Sequence, residues 1–240
     1  MSDPTFVLLH SPLLGPASWA PVREELDLLG FRAVAPRMEE RLGSSGGVTA
    51  WRAYADAAAE AITDLGTDEV VLVPHSGAGP LVAAVADMSI AQVRAIVFVD
   101  AALPNHGWSR LDEMAAHDPG FARGIRADLE GGARFPAWTS DELAPLVPDS
   151  DRREAMLAEV QPRGLDFFTE PIPAPNWPPS GEDGSAARCA YLHLSSPYVH
   201  AAREAEALGW QVGRIEAGHF HGLVNPEVMA SVISRLAEGA

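Results

Sequence analysis

At 240 residues and 47% hydrophobic, the chain can bury one substantial core, and a single α/β domain with an insertion fits this length better than two independent domains. A net charge of −16 repels polyphosphates and anionic lipid surfaces, which argues against nucleic-acid and membrane-surface functions. No apolar run approaches the ~18 residues of a membrane span, the N-terminus runs into a strand without a basic leader region, and the lone Cys189 allows no internal disulfide and is expected to pack in the core; a cytoplasmic protein is therefore expected.

Residues 5–9 (TFVLL) read as a short buried strand, followed by His10-Ser11-Pro12-Leu13-Leu14-Gly15 and a helix over 17–29 that stops at Gly30. Residues 31–35 form the next strand, and 39–48, rich in Gly and Ser, a polar loop. Thr49 is placed to cap an alanine-rich helix over 51–65. The β-branched run 70–73 then enters a tight corner, Pro74-His75-Ser76-Gly77, and an alanine-rich helix over 79–87. Another buried strand, 93–99, ends in Asp100-Ala101-Ala102. Strands alternating with helices at this spacing imply a parallel sheet covered on both faces.

The rhythm stops between 101 and 187. Helical pieces are expected around 111–116, 120–129 and 151–160, with a proline-rich stretch at 170–179. The sheet resumes at 188–194 (RCAYLHL), then Ser195-Ser196-Pro197 and a helix over 199–208. A last strand, 210–215, leads into Glu216-Ala217-Gly218-His219-Phe220-His221 and a final helix over 226–237. No internal repeat is present.

A serine at the tip of a strand–turn–helix corner is held out of the sheet, and the following helix aims its first N–H groups at whatever the serine attacks. Pro74-His75-Ser76-Gly77-Ala78 resembles the nucleophile elbow G-x-S-x-G of the α/β-hydrolase superfamily, with both outer glycines replaced. In that superfamily the histidine of the triad follows the last strand, where Gly218-His219 stands. The resemblance implies an α/β-hydrolase fold: a mostly parallel six-stranded sheet flanked by helices, with core residues 1–100 and 188–240 and a mainly helical cap over 101–187.

The resemblance also implies roles. Ser76 is the nucleophile and His219 the general base and then acid, with His221 as its fallback. The loop after the strand that follows the cap, Leu194-Ser195-Ser196-Pro197-Tyr198, contains no carboxylate, so the acid falls to Asp100, as in some haloalkane dehalogenases and lipases, or else to Glu216 or to no acid at all. One half of the oxyanion hole is the Gly77 N–H. The other half usually comes from the first strand–helix loop, where Pro12 has no N–H to give, leaving Leu13 or the Ser11 hydroxyl. His10, Leu14, His75, Trp108, Trp138, Phe168 and His221 are candidate substrate contacts. No metal or organic cofactor is implied.

The activity expected is hydrolysis of an ester or thioester of an apolar, medium-sized small molecule; the thioester option admits an acyl carrier protein as partner. Arg123, Arg126 and Arg134 are cations that could turn inward. Two other readings stand beside it: a non-hydrolytic lyase or cyclase of natural-product biosynthesis, favoured by Pro12 and the missing carboxylate, and a catalytically inactive ligand-binding protein.

Overall fold

The computed structural model describes residues 3–38, 48–178 and 187–239; most of the expected polar loop, and the end of the proline-rich stretch, lie outside them. Among the described residues six strands form one fully parallel sheet: β1 (Thr5–Leu9), β2 (Ala33–Val34), β3 (Glu69–Pro74), β4 (Gln92–Val99), β5 (Arg188–His193) and β6 (Gln211–Arg214), in spatial order β2-β1-β3-β4-β5-β6.

The unbroken apolar runs are explained by alternation across two buried faces. Val7, Leu9, Val70, Leu72, Ile96, Phe98 and Tyr191 face one core, which is closed by α2 (Ala50–Asp64), α3 (Val82–Met88) and α9 (Val199–Ala207). Phe6, Leu8, Val71, Val73, Ala95, Val97 and Leu192 face the other, closed by α1 (Ala20–Leu28) and α11 (Pro226–Glu238). Each Val, Leu, Ile or Phe among them contributes about 1.5–3 kcal/mol when removed from water. Cys189 packs against the first core, and burial pushes its thiol up to about 12.

Between β4 and β5 lies the helical cap: α4 (Arg110–His117), α5 (Pro119–Glu130), α6 (Ser140–Leu143), α7 (Ser150–Ala158) and α8 (Leu165–Thr169). It has its own apolar centre, Leu111, Leu129, Phe167 and Phe168, and a second cluster in which Leu143, Val147 and Met156 meet Leu14, Phe220 and Leu223 of the core. Two short helices, α6 and α8, are additions to the expected pattern. For α6 the signal was Thr139-x-x-Glu142, a reciprocal capping box in the fold. A further short helix, α10 (His221–Val224), precedes α11.

Three features of the fold differ from expectation. β2 pairs over only two residues, because the chain at 31–35 meets β1 at the sheet's edge and has no second neighbour to extend the ladder. The corner after β3 is a 3₁₀ turn, Ser76–Leu81, before the α-helix begins; Pro80 lies inside it and has no N–H for a regular α-helical bond. Thr49 occupies the N-cap of α2, but its hydroxyl makes no capping bond. Instead Glu170, from the end of the cap, accepts the N–H groups of Ala50 and Trp51 at 2.9 and 2.8 Å while paired with the buried Arg110 at 3.1 Å. A carboxylate outcompetes a hydroxyl for the positive end of a helix.

Candidate active site

The site is built at the carboxyl ends of β3, β4 and β6. His75 continues β3 far enough for its N–H to donate to Leu9 O at 3.0 Å and for its backbone to bridge Val99. With that residue pinned on both sides, the next one must turn, and Ser76 takes φ +57. Asp100, at the end of neighbouring β4, takes φ +42. Left-handed backbone at a residue with a side chain costs of the order of 1 kcal/mol or more and is retained where surroundings impose it. Among the described residues only Asn176 otherwise does so without being glycine.

Gly79 is the glycine the corner requires: a Cβ there would stand 1.9 Å from Ala102 O, whereas one on Gly77 would meet Ser11 Oγ at 3.2 Å. The close backbone approach that an outer glycine usually provides has moved one residue along the chain, so Ala78 fits, fully buried.

His219 Nδ1–H donates to Asp100 Oδ2 at 2.7 Å, which leaves Nε2 as the basic nitrogen. Asp100 is fully buried. Its Oδ1 accepts the N–H groups of Leu194 and Ser195, each at 3.0 Å, and the Ser195 hydroxyl donates to Oδ2. Burial raises the Asp100 carboxyl, but the bonds from His219 and Ser195 outweigh it and hold the group below its ordinary value. Glu216 is exposed, on an open depression of about 700 Å³ with Ser195 and Arg214; the carboxylate that meets His219 is that of Asp100.

Ser76 Oγ is hydrogen-bonded to Tyr198 OH at 3.1 Å rather than to His219. The Tyr198 ring lies nearly parallel to the His219 imidazole, centroids 5.1 Å apart at 9°. Sequence reasoning assigned no role to Tyr198 or Ser195. The signal was present: the loop after β5, where a carboxylate was sought and not found, is the loop that supplies both side chains.

In the first loop, the Leu13 N–H donates to Ser11 Oγ at 3.3 Å, and the Leu14 N–H to Ser11 O at 2.9 Å. The Ser11 hydroxyl is thus an acceptor from Leu13 with its own hydrogen left to donate, against the elbow beside Gly77. In the elbow turn it is Ala78 whose N–H bonds back to His75 O, one residue beyond Gly77.

The other expected contacts divide. His10 is fully buried; its Nδ1 is 2.9 Å from Ser11 O and its carbonyl accepts from Tyr54 OH at 2.6 Å, so it shapes the loop. His75 is buried behind His219, its Nε2 3.1 Å from His219 O. Trp138 packs edge-on against Phe220, which packs edge-on against His219, and Leu14 belongs to the same cluster. Phe168 is buried in the cap beside Leu13. Trp108 is 41% exposed, at the surface. His221 opens α10, its pKa lowered by burial. Arg123, Arg126 and Arg134 are all exposed, with Arg126 paired to Glu130 and Arg134 to Pro162 O, because the outer face of α5 and the loop after it give those heads solvent. Among the described residues no three His, Cys, Asp or Glu side chains gather as metal ligands.

A profile of the alpha/beta hydrolase family matches residues 6–232. Over 185 residues the chain is 26% identical to a carbendazim hydrolyzing esterase of Nocardioides sp. (strain SG-4G), covering 71% of this chain and 69% of that one. Among solved structures it is similar to an extracellular alpha/beta-hydrolase from a Paenibacillus species, with a TM-score of 0.75 at 19% identity over 98% of this chain and 99% of that one. It is also similar to tomato methylketone synthase I complexed with 2-tridecanone, with a TM-score of 0.71 at 16% identity over 100% and 99% of the two chains.

Proposed function

The chain belongs to the alpha/beta hydrolase family, and we propose that it is a serine esterase or thioesterase acting through Ser76, His219 and Asp100. The observation that carries this reading is the 2.7 Å bond from His219 Nδ1–H to a buried, ionised Asp100 at the strand end next to the strained Ser76. A neutral imidazole oriented in that tautomer can accept the serine proton at Nε2 and return it to the leaving group. The Gly77 N–H and the Ser11 hydroxyl then stabilise the oxyanion, Ser11 serving where Pro12 cannot.

The substrate is a small neutral ester with an apolar acyl part, since Trp138, Phe220 and Leu14 gather beside His219 and the three cap arginines face outward. The likeness to a relative named as an esterase supports the reaction class. One observation favours a second reading, a non-hydrolytic lyase or cyclase: Ser76 Oγ is paired with Tyr198 rather than with His219, an arrangement suited to moving a proton without acylation.

Nitrophenyl esters separate the two. A serine esterase gives a burst of nitrophenolate equal to the enzyme concentration, followed by slower turnover, and Ser76→Ala abolishes both phases. Turnover that survives in Ser76→Ala would remove the nucleophile assignment.

A further inference from the structure

Tyr198 is hydrogen-bonded to the proposed nucleophile, and the esterase mechanism leaves it without a task. Its hydroxyl is 3.1 Å from Ser76 Oγ and its ring is stacked on His219, so the hydroxyl lies on the histidine side of Ser76. The second oxyanion donor comes from the first loop, where Ser11 and Pro12 rest against Gly77, which supplies the first. In acyl transfer the leaving-group oxygen departs on the histidine side, because His219 must protonate it. From this placement we propose that Tyr198 is a further catalytic residue, whose hydroxyl donates a hydrogen bond to the leaving-group oxygen during acylation and to the attacking water during deacylation. The proposal rests on the esterase reading of Ser76.

The bond changes are those of ordinary ester hydrolysis. Ser76 Oγ bonds to the acyl carbon, its proton passes to His219 Nε2 and from there to the departing oxygen as the C–O bond breaks. Water then reverses the sequence and frees the acid. Tyr198 keeps its proton throughout. Burial pushes the phenol up to about 12, so it is a neutral donor and no base at ordinary pH. The chain position adds a reason for the residue: Ser196-Pro197-Tyr198 is a 3₁₀ turn directly after β5, so the same loop that holds Asp100 through Ser195 delivers the phenol to Ser76.

A donor to the leaving group matters in proportion to how poor that group is. Alkoxides need it, whereas nitrophenolate leaves without help. Tyr198→Phe keeps the ring and its stack on His219 and removes only the hydroxyl. The experiment compares kcat/KM for methyl, ethyl and 4-nitrophenyl esters of one short acyl chain in wild type, Tyr198→Phe and Ser76→Ala. The expected result is that Tyr198→Phe loses about 10²-fold more on the alkyl esters than on the nitrophenyl ester, the scale of one lost transition-state donor. An equal loss on all three esters, or none, overturns the proposal while leaving Ser76 as nucleophile intact. Turnover surviving in Ser76→Ala, or no ester turnover by the wild type, removes the esterase reading and this proposal with it.

Discussion

His75 Nε2 lies 3.1 Å from the carbonyl oxygen of His219, and the two imidazoles stack with centroids 4.5 Å apart, so the residue before the strained serine also holds the loop that presents the histidine. Only a protonated Nε2 can donate to a carbonyl, which fixes the His75 tautomer. Burial, reinforced by the neighbouring His219, lowers the His75 pKa to about 3, so the ring is neutral at working pH and adds no charge against an imidazolium forming at His219.

That shift has a direction in stability. The unfolded chain binds the proton from about pH 6.5 downward and the folded chain resists it to about 3, so His75 favours the fold above 6.5 and its share is lost as pH falls. His117 and His221, also lowered by burial, act in the same sense, while Glu113, pushed up to about 7 by burial, acts in the opposite one. Comparison with His75→Gln, which keeps a donor but cannot titrate, isolates the contribution of His75. Between pH 6.5 and 4.5 the wild type should lose about 1.4 kcal/mol per pH unit more than the variant, read from urea unfolding. Parallel slopes would place His75 in a solvated environment.

Asp100→Asn should remain folded, because the amide oxygen can still accept from the Leu194 and Ser195 N–H groups. Its NH₂ would face His219 Nδ1, forcing the proton to Nε2 and leaving no base for Ser76. Turnover should fall on the order of 10⁴-fold with a near-normal melting curve. Near-normal turnover would show that His219 works without an acid.

Ser11→Ala tests the second oxyanion donor. With the Ser11 hydroxyl in that role, kcat should fall about 10²- to 10³-fold in steady-state ester hydrolysis. A maintained or raised kcat would assign the role to the Leu13 N–H, which the substitution releases from its 3.3 Å bond to Ser11 Oγ.

Glu170 ties the cap to the core: it satisfies two N–H groups of α2 and the buried Arg110, whose guanidinium also lies 3.7 Å over the Phe167 ring. Glu170→Ala leaves a buried cation unpaired and should cost about 3–5 kcal/mol in chemical denaturation. Arg110→Met in the same background should recover part of that loss, since the unpaired charge is then gone. No recovery would mean that the helix cap, and not the ion pair, carries the effect.

The sheet was legible because apolar runs such as 70–73 and 93–99 end at fixed points, and a parallel sheet brings those ends together; Asp100 is the first residue past β4 and Ser76 the second past β3. His219 was legible for the same reason after β6. Tyr198, Ser195 and the role of His75 were not, because each is set by packing between elements far apart in sequence: Ser76 and Tyr198 are 122 residues apart, and His75 and His219 are 144 apart. Thr49 misled in the same way. Local capping preference named it, and a carboxylate about 120 residues away took its place. The cap side chains are the hardest to place from sequence, since aromatic content alone does not separate Phe168, buried in the cap centre, from Trp138, which reaches the site through Phe220.

If Ser76 is a nucleophile activated by His219 and Asp100, it reacts covalently with serine-directed phosphonates. The folded protein is treated with a fluorophosphonate, its intact mass is measured, and the modified peptide is sequenced. One stoichiometric adduct is expected on Ser76, absent from Ser76→Ala and formed far more slowly in Asp100→Asn. A folded wild-type protein that forms no adduct, or forms it on a residue other than Ser76, would contradict it.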